Sequence, residues 1–396
     1  MNHLPVKYLL AILPLLTGHI TLAQSPDEIR QVWDGNMRPD AEVKAFTNSD
    51  QLFPVRVVSR GKEVRPLPVG EMPSKNVHFE SAGKPYDLFD YLAVNRVAGL
   101  LILKDGKVVF EDYELGINSD TYWPSFSMAK SVSSTLTGAA VQDGYISSLD
   151  DPVTKYLPNL KDGPYEGVSV RNLIQMTSGV KWDETYVNPN SDRRKLLELQ
   201  LQKKPGLVLA YVNSLARDGA PGTIWKYNTG DTFVVGALLE SATHRPLATY
   251  LSEKIWSQWG MEHDAKWWLE SPNGMGWGGG GLAATLRDFG RFALLVLNDG
   301  VIDGARLVPQ GWFDEAGSRK QVGGKSVDYG YLWWVLPKGD PVNEGTFEAR
   351  GIFGQHMYIN RAEKLAIVVL SARPKPTGST VIDDSAFFAA VARALK

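Results

Sequence analysis

The sequence predicts an α/β (α+β) chain in which strands near both ends build one antiparallel sheet flanked by helices, with a mostly helical insert between roughly residues 150 and 290. Three observations carry this expectation. Residues 99–116 hold an apolar run from Leu100 to Leu103, an Asp105-Gly106 turn and the alternating return Val108, Phe110, Tyr113, which is the pattern of a β-hairpin. A second strand pair, Met357 to Ile359 and Leu365 to Leu370, is joined by the polar stretch 360–364 near the other end, before a last helix over about 383–395. Between the two pairs lie helical patterns. Over 127–142, Met128, Val132, Leu136 and Ala140 recur at four-residue spacing and Gly144 follows as a stop. Over 283–298, a Thr285-x-x-Asp288 start precedes the stripe Leu286, Phe289, Phe292, Val296, and Gly300 closes it.

The flanking regions set the organisation. Lys7, the apolar run from Tyr8 to Leu16 and the small-residue site Thr21-Leu22-Ala23 read as a signal peptide over 1–23, so the mature chain is expected from Gln24 in a periplasm or outside the cell. Pro14, Gly18 and His19 interrupt that run, which falls short of the ~20 residues that span a bilayer, so no stable membrane insertion is expected after cleavage. Residues 24–75 are polar and dotted with Pro54, Pro66, Pro68 and Pro73, which predicts an irregular arm ahead of a main domain over 76–396. With no cysteine, a thiol nucleophile, a thiolate metal site and disulfides are excluded. The 42 basic and 44 acidic residues are evenly mixed, with no basic block to track a phosphate backbone, so nucleic acid is not an expected partner.

An acyl-transfer hydrolase needs an activated nucleophile, a proton carrier and donors for the developing oxyanion. There is no Gly-x-Ser-x-Gly elbow, and His78, His244, His263 and His356 each stand alone in sequence without the i,i+4 partner of a zinc helix, so no metal site is predicted. Ser-x-x-Lys occurs at Ser59, Ser81, Ser127 and Ser178; Gly61, Gly83 and Gly179 interrupt three of the four. Only Ser127-Met128-Ala129-Lys130 opens a periodic helix, where side chains three residues apart share a face and the helix N-terminus favours negative charge near the serine. The plain alternative, a buried serine with a snorkelling lysine, fits poorly because Lys130 falls on the small-residue side of the helix.

The run Pro124-Ser125-Phe126-Ser127-Met128-Ala129-Lys130-Ser131 resembles the serine β-lactamase and penicillin-binding superfamily. So do Leu149-Asp150-Asp151-Pro152-Val153, Met176-Thr177-Ser178-Gly179 with Trp182-Asp183-Glu184, and Leu282-Ala283-Ala284-Thr285 with Arg287-Asp288-Phe289. Within the superfamily the likeness, over roughly 90–396, is to class C-like esterases and 6-aminohexanoate-dimer (nylon-oligomer) hydrolases. It implies a serine β-lactamase-like fold with Ser127 as nucleophile and Tyr227-Asn228-Thr229 as the second motif. Lys130 and Tyr227 then handle the proton as one unit, either member being able to act first. The third motif corresponds to Ala349-Arg350-Gly351, which places the Ile352 N–H beside the Ser127 N–H in the oxyanion hole. The family's lysine is missing there, and strand alternation is expected to turn Arg350 to the opposite face, which counts against β-lactam carboxylates. Tyr186, Trp182, Trp333 and Gly351 are expected at the substrate, with at most one of Trp333 and Trp334 facing it.

The expected function is hydrolysis of a small-molecule ester or linear amide through an acyl-enzyme, without cofactor. The alternatives are a β-lactamase or DD-peptidase, and a silent binder of peptide or cell-wall fragments. The glycine run from Gly274 to Gly281 matches a dinucleotide pattern but follows no apolar strand, so no nucleotide site is expected.

Overall fold

The computed structural model describes residues 24–72 and 77–396; the expected signal peptide over 1–23 lies outside the described residues. The N-terminal arm is not irregular. It forms helix α1 (Pro26–Asp34), helix α2 (Pro39–Thr47) and strand β1 (Val55–Val58). Pro26 and Pro39 open the two helices at the first helical position, where a missing N–H costs nothing, while Pro54, Pro66 and Pro68 lie outside them. Ser25 and Glu28 close a reciprocal capping box on α1.

The expected hairpin forms as β2 (Val97–Lys104) and β3 (Lys107–Tyr113), with Lys104 opposite Lys107. A 3₁₀ turn over Phe126–Met128 leads into α3 (Ala129–Gln142), so Ser127 lies on the entry turn just before the α-helix. The insert contributes α4 (Asp192–Leu201) and α5 (Thr229–Thr243) among its helices, and also β4 (Ala265–Trp268) and β5 (Leu282–Ala284), which the helical pattern did not foretell. The helix expected from residue 283 starts later, as α6 (Leu286–Leu297): β5 takes residues 282–284, and Thr285 caps the helix by accepting the Asp288 N–H. The chain ends in β6 (Trp334–Val335), β7 (Phe347–Gly351), β8 (Gln355–Asn360), β9 (Leu365–Ser371) and α7 (Asp384–Ala394).

The main sheet has the order β6-β7-β8-β9-β2-β3, antiparallel throughout, so strands from both ends of the chain lie side by side with Ile102 opposite Ile367. Alternation divides its side chains between two cores. Leu100, Ile102, Ile367 and Val369 pack with Phe387 and Phe388 of α7; Leu101, Leu103 and Val368 pack with Phe289 and Phe292 of α6. The fold is thus a β-lactamase-like body of antiparallel sheet between helical layers. A second sheet, β1-β4-β5 and the short strand Trp123–Pro124, joins the arm to the insert and to the segment just before Ser127. Among the described residues no helix is long and apolar enough to cross a membrane.

The arm belongs to the core. Phe46 is fully buried, with its ring centroid 5.4 Å from Trp123, 5.2 Å from Phe126 and 5.2 Å from Phe353. Phe46→Ala is therefore expected to cost about 3–5 kcal/mol, the usual range for emptying a buried aromatic site. Urea unfolding reads it, and a loss below about 1 kcal/mol would show that the arm merely rests on the surface.

Candidate active site

Ser127 follows a residue held in an unusual conformation. Phe126 has φ +45, in the left-handed region that non-glycine residues rarely enter. Its ring is fixed by Phe46, Trp33 (6.3 Å), Trp268 (6.0 Å) and Phe353 (5.2 Å), so aromatic packing from the arm and from both sheets holds the Ser127 turn.

One turn on, Lys130 is 1% exposed, and its Nζ lies 2.8 Å from Ser127 Oγ, 2.8 Å from the Gly279 carbonyl and 3.2 Å from Thr229 Oγ1. Burial pushes its pKa down to about 7; the Glu184 carboxylate pulls the other way and the Arg193 guanidinium adds to the depression. The glycine run rejected as a nucleotide site has a local reason to exist. The Gly278 and Gly279 carbonyls accept from Ser133 Oγ and Lys130 Nζ, and a Cβ on Gly279 would meet Thr229's neighbour Thr232 at 2.1 Å.

Asn228 caps α5 through the Asp231 N–H, and this cap sets Tyr227 at the mouth of the helix. Tyr227 stacks on Trp334 with ring centroids 5.3 Å apart, and Lys130 Nζ is 5.0 Å from its ring. Burial and then the Glu184 charge raise the Tyr227 pKa, while a hydrogen bond with Ser127 opposes the rise. Ser127, Lys130 and Tyr227 are therefore brought together.

Gly351 ends β7 where the strand passes the nucleophile's turn; a Cβ there would stand 2.4 Å from the Ser125 carbonyl. Ile352 follows in the β7–β8 turn, and both residues line the same cleft as Ser127, of about 530 Å³. Tyr186 also lines it, donating its hydroxyl to Glu184 Oε1 at 3.0 Å.

Three expectations fail on side-chain direction. Trp182 is buried, with its indole N–H spent on Glu184 and its ring away from the cleft. Trp333 is fully buried edge-on against Phe347; its neighbour Trp334 faces the cleft, because it pairs with Glu348 on the face that also carries Arg350. Arg350, expected to point away, lines the cleft, with its guanidinium 5.4 Å from the Trp334 ring and Nε 2.6 Å from Glu348 Oε1.

Sequence reasoning missed two groups. Glu184 receives Thr229 N (3.0 Å), Thr229 Oγ1 (2.6 Å), Tyr186 Oη (3.0 Å) and Trp182 Nε1, tying the insert to the Lys130 cage. His356, alone in sequence, sits in space between Glu348 (Nδ1 to Oε2, 2.8 Å) and Asp384 (Nε2 to Oδ2, 3.2 Å) at the far end of the cleft. Burial opposes its charge, but Asp384 and Glu348 outweigh it and raise the His356 pKa. Glu184 falls in the Trp182-Asp183-Glu184 segment that carries the likeness, but its partners there are visible only in the tertiary fold, and His356 carries no local motif.

Comparison with known proteins agrees with this architecture. The family model described as Beta-lactamase matches residues 92–391. The chain is 28% identical over 348 residues to the 6-aminohexanoate-dimer hydrolase of Paenarthrobacter ureafaciens, covering 84% of this chain and 86% of that protein. It is 23% identical over 346 residues to esterase EstB of Burkholderia gladioli, covering 68% and 84%. A solved Bacillus anthracis structure assigned as a 6-aminohexanoate-dimer hydrolase superposes with a TM-score of 0.75 at 21% identity, over 89% of this chain and 92% of that one.

The cage makes a direct prediction. Removing the Glu184 charge takes away the anion that favours the Lys130 ammonium, so in Glu184→Gln the amine should titrate at a lower pH than its wild-type value of about 7. Lysine ¹³Cε NMR titration measures this, and an unchanged or upward-moving Lys130 resonance would contradict the arrangement.

Proposed function

The chain belongs to the Beta-lactamase family of serine hydrolases, and on that premise we propose that it cleaves carboxylic esters or linear amides through an ester on Ser127. The observation that carries the reading is the opposite displacement of two proton carriers around one hydroxyl: Lys130 lowered to about 7, Tyr227 raised. A buried amine near neutrality is fit to take the Ser127 proton, whereas a raised phenol is unfit to be a phenolate and fit to donate.

Ser127 Oγ attacks the substrate carbonyl carbon as its proton passes to Lys130 Nζ. The oxyanion takes hydrogen bonds from the Ser127 and Ile352 N–H groups. The bond to the leaving oxygen or nitrogen breaks, and that atom receives a proton from Tyr227 Oη, which Lys130 restores. Water then attacks the acyl ester, gives a proton to the same pair, and releases the acid and free Ser127. Signal-directed export, expected from residues 1–23, is kept as part of the proposal; N-terminal sequencing of secreted material tests it.

Fluorophosphonate labelling should place one adduct on Ser127, and Ser127→Ala should abolish both labelling and turnover; full activity in that variant overturns the reading, and a silent binder would give no adduct. Lys130→Ala and Tyr227→Phe should each lower kcat by about 10²- to 10⁴-fold, with the double variant losing less than the product because the two act as one unit. Strictly multiplicative losses would separate them.

Arg350 in the cleft favours a second reading, a β-lactam or peptide carboxylate as substrate. Its pairing with Glu348 and the alanine at position 349 weigh against it. A short ester is therefore expected to exceed a chromogenic cephalosporin in kcat/KM by at least about 100-fold, equivalent to roughly two lost charge-assisted hydrogen bonds. Equal rates on one preparation would reverse the substrate order while leaving Ser127 as nucleophile.

A further inference from the structure

Next to the open cleft, and sharing Ser127, Tyr186 and Ile352 with it, lies a second and narrower cavity of about 20 Å³. This exceeds the roughly 10–15 Å³ that a single water requires, so it suits a small polar group and excludes a long chain. Its walls are aromatic, chiefly Trp33, Trp268 and Trp277, and Ser127 and Ile352 stand at its mouth.

Arg193 projects into this cavity from the first turn of α4. The residue is 7% exposed, with its guanidinium 5.6 Å from the Trp33 ring and 6.0 Å from the Tyr186 ring. Its neighbour Arg194 is paired, with Asp34, and donates to the Tyr186 carbonyl at 3.3 Å, leaving only its Nε without a partner among the described residues. Arg193, by contrast, donates no side-chain hydrogen bond and joins no ion pair among the described residues. The nearby carboxylate cannot serve it. Glu184 has four lone-pair sites, and Thr229 N, Thr229 Oγ1, Tyr186 Oη and Trp182 Nε1 occupy them. The Arg193 N–H donors therefore face accessible space in the cavity with no protein acceptor among the described residues, within reach of the Glu184 charge but not hydrogen-bonded to it.

Ion pairs make this position rigid. Arg30 to Glu198 (2.7 Å) and Asp34 to Arg194 dock α1 on α4, which brings Trp33 beneath the guanidinium.

Resting on the acyl-enzyme reading above, we propose that the leaving group departs through the wide cleft while Arg193, in the narrow cavity, anchors a carboxylate on the acyl group, so that the preferred substrates are esters or amides of the shortest dicarboxylic acids. The guanidinium and a carboxylate match as a two-pronged pair, and the aromatic walls keep water from competing.

The test compares monoethyl malonate with ethyl propionate, which lacks the carboxylate, on the full-length mature chain, and measures malonate binding by titration calorimetry. Wild-type protein should favour the half-ester in kcat/KM by about 10-fold or more, the effect of one charge-assisted hydrogen bond. It should also bind malonate but not malonamide. In Arg193→Gln the half-ester preference should fall to about unity and malonate affinity by at least about 10-fold, while Arg193→Lys retains most of both. No wild-type preference together with no malonate binding overturns the proposal whether or not the variants fold, and so does a preference that survives in Arg193→Gln. Ethyl propionate turnover with a Ser127 adduct but no charge preference removes this inference alone. Arg193-dependent malonate binding without turnover of either ester removes the acyl-enzyme reading and leaves the anion site.

Discussion

A lysine amine withdrawn from water and held 2.8 Å from a serine oxygen is the constraint on which the rest of this structure depends. Removing an ammonium from solvent favours the neutral amine, and the protein offers Lys130 only a carbonyl and two hydroxyls as direct partners. Each partner requires a separate part of the chain. The Gly279 carbonyl arrives on a loop with no room for a side chain, Thr229 on the first turn of α5, and Ser127 on the turn ahead of α3. Glu184 then sets how far the amine departs from its usual basicity, at a distance that leaves its oxygens committed elsewhere.

The Ser127 turn carries backbone strain at Phe126, and strain of that kind, roughly 1–3 kcal/mol, persists only where the surroundings over-determine it. Here the surroundings include Trp33 and Phe46, residues that precede the family-matched region at 92–391. The N-terminal arm is therefore part of what shapes the cleft: it clamps Phe126, pairs with β4 and docks on α4 through Arg30 and Asp34.

What the sequence disclosed follows from range. Ser127, Lys130 and the two hairpins are visible because their signals lie within a few residues of each other, in helical or alternating periods. Tyr227 needed a family motif. Arm helices α1 and α2 were overlooked because the breakers Pro54, Pro66, Pro68 and Pro73 were weighed for the whole segment, although Ser25-Pro26-x-Glu28 was there to be read as a helix start. The choice between Trp333 and Trp334 turned on which face of β6 meets the cleft, and Arg350 turned on the same question one strand over. Glu184 lies in a segment that carries the family likeness, which does not disclose its bonds, and Arg193 and His356 have no local signature. Their partners lie in other segments, so only tertiary structure reveals them.

The antiparallel sheet gives this chain a particular order of assembly. The hairpin β2–β3 has no partner on its inner edge until β9 is present, since residue 102 pairs with residue 367. The strand that bears Gly351 lies two further positions across the same sheet. A nascent chain that has already produced Ser127, Lys130 and Tyr227 therefore still exposes an apolar strand edge and lacks the strand that brings Gly351 to the cleft. The cleft closes only when the last strands pair, and until then the open edge of the hairpin is free to pair with another chain.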